Sequence, residues 1–113
     1  MKEVTADEPG AIGERIRVQI ADEAVRITAH AHAEMVGEGI ALDEVFQTLR
    51  TGRVLENYPE HRRGACCLVG GRSDAGRPLH VVCTTRNPVL IVITVYEPKP
   101  PKWPTPQERG AKL

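Results

Sequence analysis

The sequence is poor in aromatic residues and has no long apolar run. Phe, Trp and Tyr together make up 4% of the 113 residues, so a core must be built mainly from Val, Ile, Leu, Ala and Met. The longest apolar run, residues 89–93, is far too short to span a bilayer. The opening residues, MKEVTADEPG, have no apolar stretch typical of a signal peptide. We expect residues 1–10 to form a disordered lead-in and the protein to have no membrane partner.

Cysteine is also scarce. Three Cys residues in a chain of this length do not make a disulfide framework, so we expect a reduced, cytoplasmic setting. His30 and His32 with Cys66 and Cys67 raise the question of a metal site. However, His30 and His32 are two positions apart on a predicted helix, so their side chains point in different directions. Cys66 and Cys67 are adjacent on a predicted strand, so their side chains point to opposite faces. The spacing fits no usual zinc pattern, so we expect no metal and no other cofactor.

The chain has no net charge, but its charges are unevenly placed. Residues 1–59 hold 6 Lys and Arg against 11 Asp and Glu, whereas residues 60–113 hold 9 against 4. A basic half can attract phosphates or an acidic partner. A charge match between two layers of one domain explains the same pattern.

The strongest structural signal is the stretch RPLHVVCTTRNPVLIVITVY. It predicts two β-strands, residues 77–84 and 89–96, joined by a turn at residues 85–88. Alternation along the strands predicts one apolar face containing Leu79, Val81, Cys83, Ile91, Ile93 and Val95. The opposite face is predicted to carry His80, Thr94 and Tyr96, with His80 directly opposite Thr94. Arg77 begins the first of these strands and is expected near Tyr96.

Two further strands, residues 53–58 and 65–69, are predicted before this pair, the second with Cys66 and Cys67 on opposite faces. A flexible loop over residues 70–76 follows. Three helices are predicted earlier, over residues 11–21, Ala29–Glu38 and residues 42–50. The spacing of Ile12, Ile16 and Ile20 favours the first helix, although Ile16, Val18 and Ile20 also alternate as in a strand. Thr28 is the predicted N-cap of the second helix, and Val25–Ile27 is a short extended segment.

Helices followed by strands with short connections indicate an α+β fold. We expect the N-terminal helices to pack on one face of a four-stranded antiparallel sheet, forming a single domain over residues 11–98. The remaining residues, 99–113, are rich in Pro and cannot continue a sheet interior. They are expected to form an extended surface tail pinned by Trp103.

Several segments together resemble a bacterial family, domain of unknown function 4258. They are TAHAHAEM followed by GI, GRVLENYP, GRPLHVV and ITVYEPKPPKW, and they span residues 27–103. This family is similar to small toxin ribonucleases of the RelE, BrnT and MqsR types. The resemblance implies a barnase–colicin–RelE-like fold, metal-independent cleavage of RNA, and an antitoxin protein as partner, of the zinc-finger type in some relatives.

The resemblance also implies functional residues. The His of the family's HA pair matches His30, the His of its LHVV segment matches His80, and the Tyr of its final motif matches Tyr96. His30 and His80 are candidates for an acid–base pair, because a His pKa near neutrality suits both roles. Tyr96 is a candidate to orient or donate a proton. Family members often carry Arg at the positions of Glu34 and Glu38, where a carboxylate would repel phosphate.

The basic residues supply candidates for RNA binding. Arg77 is placed to stabilise a phosphate beside His80. Contacts to the RNA backbone are expected from four Arg residues in predicted turns, namely Arg62, Arg63, Arg72 and Arg86. Simple surface solubility explains these four equally well.

The alternative to a toxin-like ribonuclease, active or degenerate, is a non-catalytic protein-interaction module. Such a module would pair with a protein partner or with a second copy of itself, as a homodimer. Its contact surface would be the open sheet face or the tail around Trp103, because aromatic anchors contribute much of the binding energy at interfaces.

Overall fold

The computed structural model describes residues 9–61, 64–86 and 88–110, which form three helices and a five-stranded sheet. In chain order the elements are α1 Pro9–Ala21, β1 Val25–Ile27, α2 Ala29–Glu38, α3 Leu42–Thr51, β2 Arg53–Tyr58, β3 Cys66–Arg72, β4 Pro78–Thr84 and β5 Leu90–Tyr96. The predicted α+β class is therefore confirmed. Residues 1–8 of the predicted lead-in lie outside the described residues, and Pro9 and Gly10 belong to α1. Among the described helices none has both the length and the apolar character needed to cross a bilayer.

The sheet has one more strand than predicted. Its order is β1-β5-β4-β3-β2, and β2 to β5 pair antiparallel in sequence, as expected. The additional strand, β1, pairs parallel to β5, with Val25 opposite Leu90. The prediction of a wholly antiparallel four-stranded sheet was therefore wrong. A three-residue strand is too short to show an alternating pattern, and its partner lies more than sixty residues further along the chain.

The helices follow the sequence signals closely. In α1 the buried residues are Ile12, Ile16, Gln19 and Ile20, so the helical interpretation of the Ile spacing is confirmed. The Thr28 hydroxyl accepts a hydrogen bond from the Ala31 N–H at 3.1 Å and caps α2. Gly39 ends α2 with φ +66°, a left-handed conformation that favours glycine. All three helices contribute to one core against the sheet.

A β-bulge changes the predicted pairing of β4 with β5. His80 lies opposite Tyr96, and Val82 opposite Thr94, but Cys83 then pairs with Val92, so Ile93 is an extra residue. Because the bulge reverses the alternation, the core contains Leu90, Val92 and Val95 from β5. The predictions that Ile91 and Ile93 share the core face with Val95, and that His80 lies opposite Thr94, were wrong.

The sheet face opposite the helices is covered by the C-terminal segment, residues 99–110. Trp103 is 2% exposed, and beneath this layer Leu68 and His80 are each 1% exposed. Backbone hydrogen bonds fold the segment on itself, from Trp103 N–H to Lys99 O at 3.0 Å and from Gly110 N–H to Lys102 O at 2.7 Å. This part of the chain is a folded layer rather than an extended tail, and the face predicted to be open is closed.

Candidate functional site

His80 is at the centre of the only acid–base cluster that we find on this face within the described residues. Its Nε2 lies 2.6 Å from the Pro106 carbonyl oxygen, and its Nδ1 lies 3.1 Å from the Tyr96 hydroxyl. Because a carbonyl oxygen can only accept, Nε2 carries the proton and donates to Pro106. In the neutral imidazole, Nδ1 then accepts from the Tyr96 hydroxyl. The direct pairing of His80 with Tyr96 in the sheet produces this contact.

Aromatic and charged side chains surround this pair. The Trp103 ring stands edge-on to the His80 ring, with centroids 4.3 Å apart and planes at 89°. The Arg109 guanidinium lies 4.8 Å from the Trp103 ring centroid. Arg109 also forms a bidentate pair with Glu56, through bonds of 2.8 and 2.7 Å. Glu56, His80, Tyr96, Trp103 and Arg109 are together called the His80 site below.

The environment of the site sets the protonation of its groups. Burial lowers the pKa of His80 below its ordinary 6.5, although the bond to Pro106 and the nearby charge of Glu56 act in the opposite direction. The hydrogen bonds from Arg109 lower the pKa of Glu56. Burial raises the pKa of Tyr96. At neutral pH the site therefore holds a neutral imidazole, a carboxylate and a protonated phenol.

A cleft of about 330 Å³ lies at the edge of the C-terminal segment, beside the His80 site. Pro106, whose carbonyl oxygen accepts from His80, forms part of its wall. Arg53 and Arg72, from the neighbouring strands β2 and β3, supply positive charge to the same cleft. The cleft therefore places two cations next to the contact that closes the site.

Comparison with known proteins identifies one family. The model of the family described as a domain of unknown function (DUF4258) matches residues 27–97. The chain belongs to the DUF4258 family. No curated protein and no solved structure matches it significantly. The region matched to DUF4258 contains Glu56, His80 and Tyr96, whereas Trp103 and Arg109 lie beyond it.

His30, the second His of the predicted acid–base pair, is not part of the His80 site in the fold of this DUF4258 protein. It lies on α2, which packs in the helix layer, whereas His80 faces away from that layer. The His30 side chain is 67% exposed, and its Nε2 lies 3.4 Å from Glu34 Oε1. The structure therefore does not bring the two His residues together.

Arg77 is held by structural contacts. Its Nη1 and Nη2 donate to the carbonyl oxygens of Gly39 and Glu38, at 3.0 and 2.8 Å. Its Nε donates to Glu97 at 2.7 Å. The guanidinium thus satisfies the carbonyl groups at the end of α2 and ties them to the end of β5. Arg77 is fully engaged here and does not face the His80 site as a free phosphate ligand.

The other predicted RNA-binding residues are dispersed. Arg72 lines the cleft beside the His80 site, although its Nη1 also donates to Gly76 O at 2.8 Å. Arg86 lies near α1, at a cleft shared with Arg15. Arg62 and Arg63 lie outside the described residues. Within the described parts of the chain, no group of three or more His, Cys, Asp or Glu residues is placed to hold a metal ion.

Glu34 and Glu38, expected from the resemblance to stand where other family members carry Arg, complete the sheet edge. Strand β1 covers only the first part of β5, and beyond it the N–H groups of Val95 and Glu97 donate to Glu34 and Glu38, at 2.9 and 3.1 Å. Four residues of helix rise about 6 Å, which matches two residues of strand at about 6.6 Å. The two carboxylates therefore act as hydrogen-bond partners in place of a neighbouring strand.

Two members of the His80 site were not among the sequence candidates. Glu56 shares a strand face with Tyr58, whose hydroxyl donates to the Glu56 carboxylate. This alternation of polar residues was visible in the sequence and was a usable signal. Arg109 lies in a Pro-rich stretch with no periodic pattern, so only the folded C-terminal segment brings it to Glu56.

Proposed function

We propose that this DUF4258 protein is a toxin-like, metal-independent endoribonuclease whose active site is Glu56, His80, Tyr96 and Arg109. The observation that carries the proposal is the convergence of a carboxylate, an imidazole and a guanidinium on the sheet face opposite the helices. The described form is the closed form of this site, because the C-terminal segment covers it. RNA is the proposed substrate, and a RelE-like ancestry of the fold is part of the same proposal.

The chemistry needs a base, an acid and a cation. Glu56, ionised beside Arg109, is the proposed base that takes the proton from the ribose 2′-hydroxyl. His80, once protonated, is the proposed acid that gives a proton to the leaving 5′ oxygen. Arg109 stabilises the charge that develops on the phosphate. Tyr96 positions the imidazole through its contact with Nδ1.

This reaction requires the Pro106 contact of the C-terminal segment to open while Arg109 stays paired with Glu56. In the closed form His80 Nε2, the atom that would protonate the leaving oxygen, already donates its hydrogen bond to the Pro106 carbonyl oxygen. Burial also keeps the imidazole neutral by lowering its pKa. Release of the Pro106 contact exposes His80 to water and removes the main cause of that shift, which is burial. The cleft with Arg53 and Arg72 then provides a path for the RNA backbone beside the opened site.

Gly110→Ala offers a way to loosen the segment around the Pro106 contact while every proposed catalytic side chain is kept. A Cβ at Gly110 would collide with the Pro101 carbonyl oxygen and would lie 3.3 Å from Lys102 O, both backbone atoms of the segment. With single-stranded RNA and EDTA present, we expect Gly110→Ala to cleave faster than the unaltered protein. Adding His80→Ala or Glu56→Gln to Gly110→Ala should reduce cleavage by about 10²-fold or more, since general acid–base groups contribute on this scale. Products ending in 2′,3′-cyclic phosphate are expected.

His30→Ala in the Gly110→Ala background is the matched control, because His30 is exposed and is not among the residues that contact His80. It should leave cleavage unchanged. A folded Gly110→Ala protein without RNA cleavage would contradict the proposal, as would cleavage that survives His80→Ala. Circular dichroism of each variant establishes that it is folded.

The second candidate function is a non-catalytic interaction module for an antitoxin-like protein partner or a second copy of the chain. It is favoured by the internal hydrogen bonding of the site, since both His80 nitrogens and the Glu56 carboxylate already have partners in the fold. Trp103 is buried in the closed form and is not free to anchor a partner. Absence of RNA cleavage from both the unaltered protein and Gly110→Ala would favour this function. Both candidates are proposed to act in the cytoplasm.

A further inference from the structure

Two buried Cys residues face one another across the middle of the sheet. Cys67 on β3 and Cys83 on β4 are directly opposed in the antiparallel register, on the face covered by the helices. Their Sγ atoms are 3.9 Å apart. A disulfide needs about 2.05 Å between the sulfur atoms, so the two side chains must rotate towards each other, with small backbone adjustments, to form one. Cys66, the third Cys, precedes Cys67 and points to the opposite sheet face.

This thiol pair borders a narrow cleft between α1 and the strand ends. The cleft has a volume of about 10 Å³, enough for a single water-sized molecule. Cys67 and Cys83 line it together with Arg15 and Thr85, and Cys66 lies at the same cleft. The Arg15 Nε donates to the Thr85 hydroxyl oxygen at 3.0 Å, which fixes both side chains beside the sulfur atoms. A cation and a hydroxyl group therefore stand at a cleft that leads to two thiols.

We propose that Cys67 and Cys83 form a redox site in which a small hydroperoxide oxidises Cys67 and Cys83 then closes a cross-strand disulfide. This inference is independent of the ribonuclease proposal. The hydroperoxide is the oxidant, and hydrogen peroxide is the smallest member of this class.

The reaction balances in two steps. The Cys67 thiolate attacks one peroxide oxygen, the O–O bond breaks, and the released hydroxide takes a proton to become water, which leaves a sulfenic acid on Cys67. Cys83 then attacks the Cys67 sulfur, the S–O bond breaks, and the hydroxyl group leaves with the Cys83 proton as a second water. The two thiols lose two electrons in total, and the peroxide gains them.

The surroundings assign the order of the two steps. The hydrogen bond between the two sulfur atoms lowers the pKa of Cys67, and the positive charge of Arg15 acts in the same direction against the opposing effect of burial. The same hydrogen bond and complete burial raise the pKa of Cys83. Burial also raises the pKa of Cys66. Cys83 is completely buried and Cys67 retains 2% exposure, so we assign Cys67 as the residue that reacts first and Cys83 as the residue that completes the disulfide.

The test is oxidation of the folded, full-length protein with hydrogen peroxide, followed by mass spectrometry of alkylated peptides. We expect a loss of two hydrogen atoms, a disulfide mapped to Cys67 and Cys83, free Cys66, and full reversal by dithiothreitol. In Cys83→Ala, the expected product is a sulfenic acid on Cys67 that dimedone traps. Cys66→Ser is the matched control and should form the same disulfide at the same rate.

A second variant separates a built site from accidental oxidation. Arg15→Ala should slow oxidation of Cys67 by about tenfold, whereas Arg15→Lys should retain most of the rate because it keeps the positive charge. Urea unfolding of each variant shows whether the slower rate arises without a change in stability. The proposal is overturned if the unaltered protein keeps three free thiols, if Cys66 is oxidised first, or if Arg15→Ala reacts at the rate of the unaltered protein.

Discussion

Trp103→Ala is expected to lower the free energy of unfolding by about 3–5 kcal/mol, the usual cost of removing a large buried aromatic side chain. Trp103 is 2% exposed, and its ring packs against His80 beneath Arg109. Its loss removes the centre of the layer that covers the second sheet face. Chemical denaturation monitored by circular dichroism measures the change, and the His80 imidazole should become accessible to solvent in the same variant.

Lys102→Ala is the matched control for this substitution. Lys102 is the preceding residue in the same segment and is exposed, so its removal should change the unfolding free energy by no more than about 0.5 kcal/mol. A Trp103→Ala protein as stable as the Lys102→Ala protein would show that the C-terminal segment does not cover the sheet in solution.

Gly71→Ala is the second substitution with a large expected effect. A Cβ at Gly71 would lie 2.7 Å from Thr48 O and 2.9 Å from Gly52 Cα, so the end of α3 passes directly over β3 at this point. Both neighbours are backbone atoms and cannot move aside as a side chain can. We expect the free energy of unfolding to fall by about 1–3 kcal/mol or more, as for other overpacked positions, and thermal unfolding measures it.

Gly37→Ala provides the opposite expectation within the same protein. Gly37 lies in α2, and a Cβ there would meet nothing within 4 Å. Alanine should therefore stabilise the helix by about 0.5–1 kcal/mol. If Gly71→Ala and Gly37→Ala changed the free energy of unfolding in the same direction, this would contradict the close packing of α3 on β3.

The regular parts of the fold could be predicted because each has a local cause. The Thr28 cap and the glycine that follows α2 fix the limits of that helix. Alternation in β4 correctly separates Leu79 and Val81 from His80. In β5, by contrast, residues 89–93 are all apolar, so the sequence carries no contrast from which the bulge at Ile93 could be located.

The C-terminal layer escaped prediction for a different reason. Proline-rich sequence argues against strands and helices, and residues 99–110 form neither. It does not argue against a folded segment held by its own turns and by one buried indole. A single Trp in a chain with 4% aromatic residues was the available signal for burial, but Trp103 was predicted to pin a surface tail or to anchor a partner.

Some features of the candidate site could be predicted from the sequence, and others could not. His80 and Tyr96 were expected on one face, and the structure joins them by a hydrogen bond of 3.1 Å. The position of Arg77 near that end of the sheet was also expected, but its partners are the carbonyl groups at the end of α2. Long-range partners of this kind depend on how the layers meet, which spacing within one segment does not encode.

The pH dependence of His80 follows from the closed site. Because burial lowers its pKa in the folded protein below the ordinary 6.5, the unfolded chain takes up this proton first as the pH falls. His80 therefore lowers the free energy of unfolding as the pH falls from about 6.5 through the lower pKa of the folded protein. Above about pH 6.5 both states hold a neutral imidazole, and the penalty is absent.

Titration of the His80 imidazole by ¹H–¹⁵N NMR tests the closed acid–base site most directly. In the unaltered protein we expect the neutral ring to be protonated at Nε2, with the hydrogen bond to Pro106 protecting that proton from exchange. The pKa should lie below 6.5, and in Gly110→Ala it should rise towards that value as the segment opens. An unprotected Nε2 and an ordinary pKa in the unaltered protein would contradict the account.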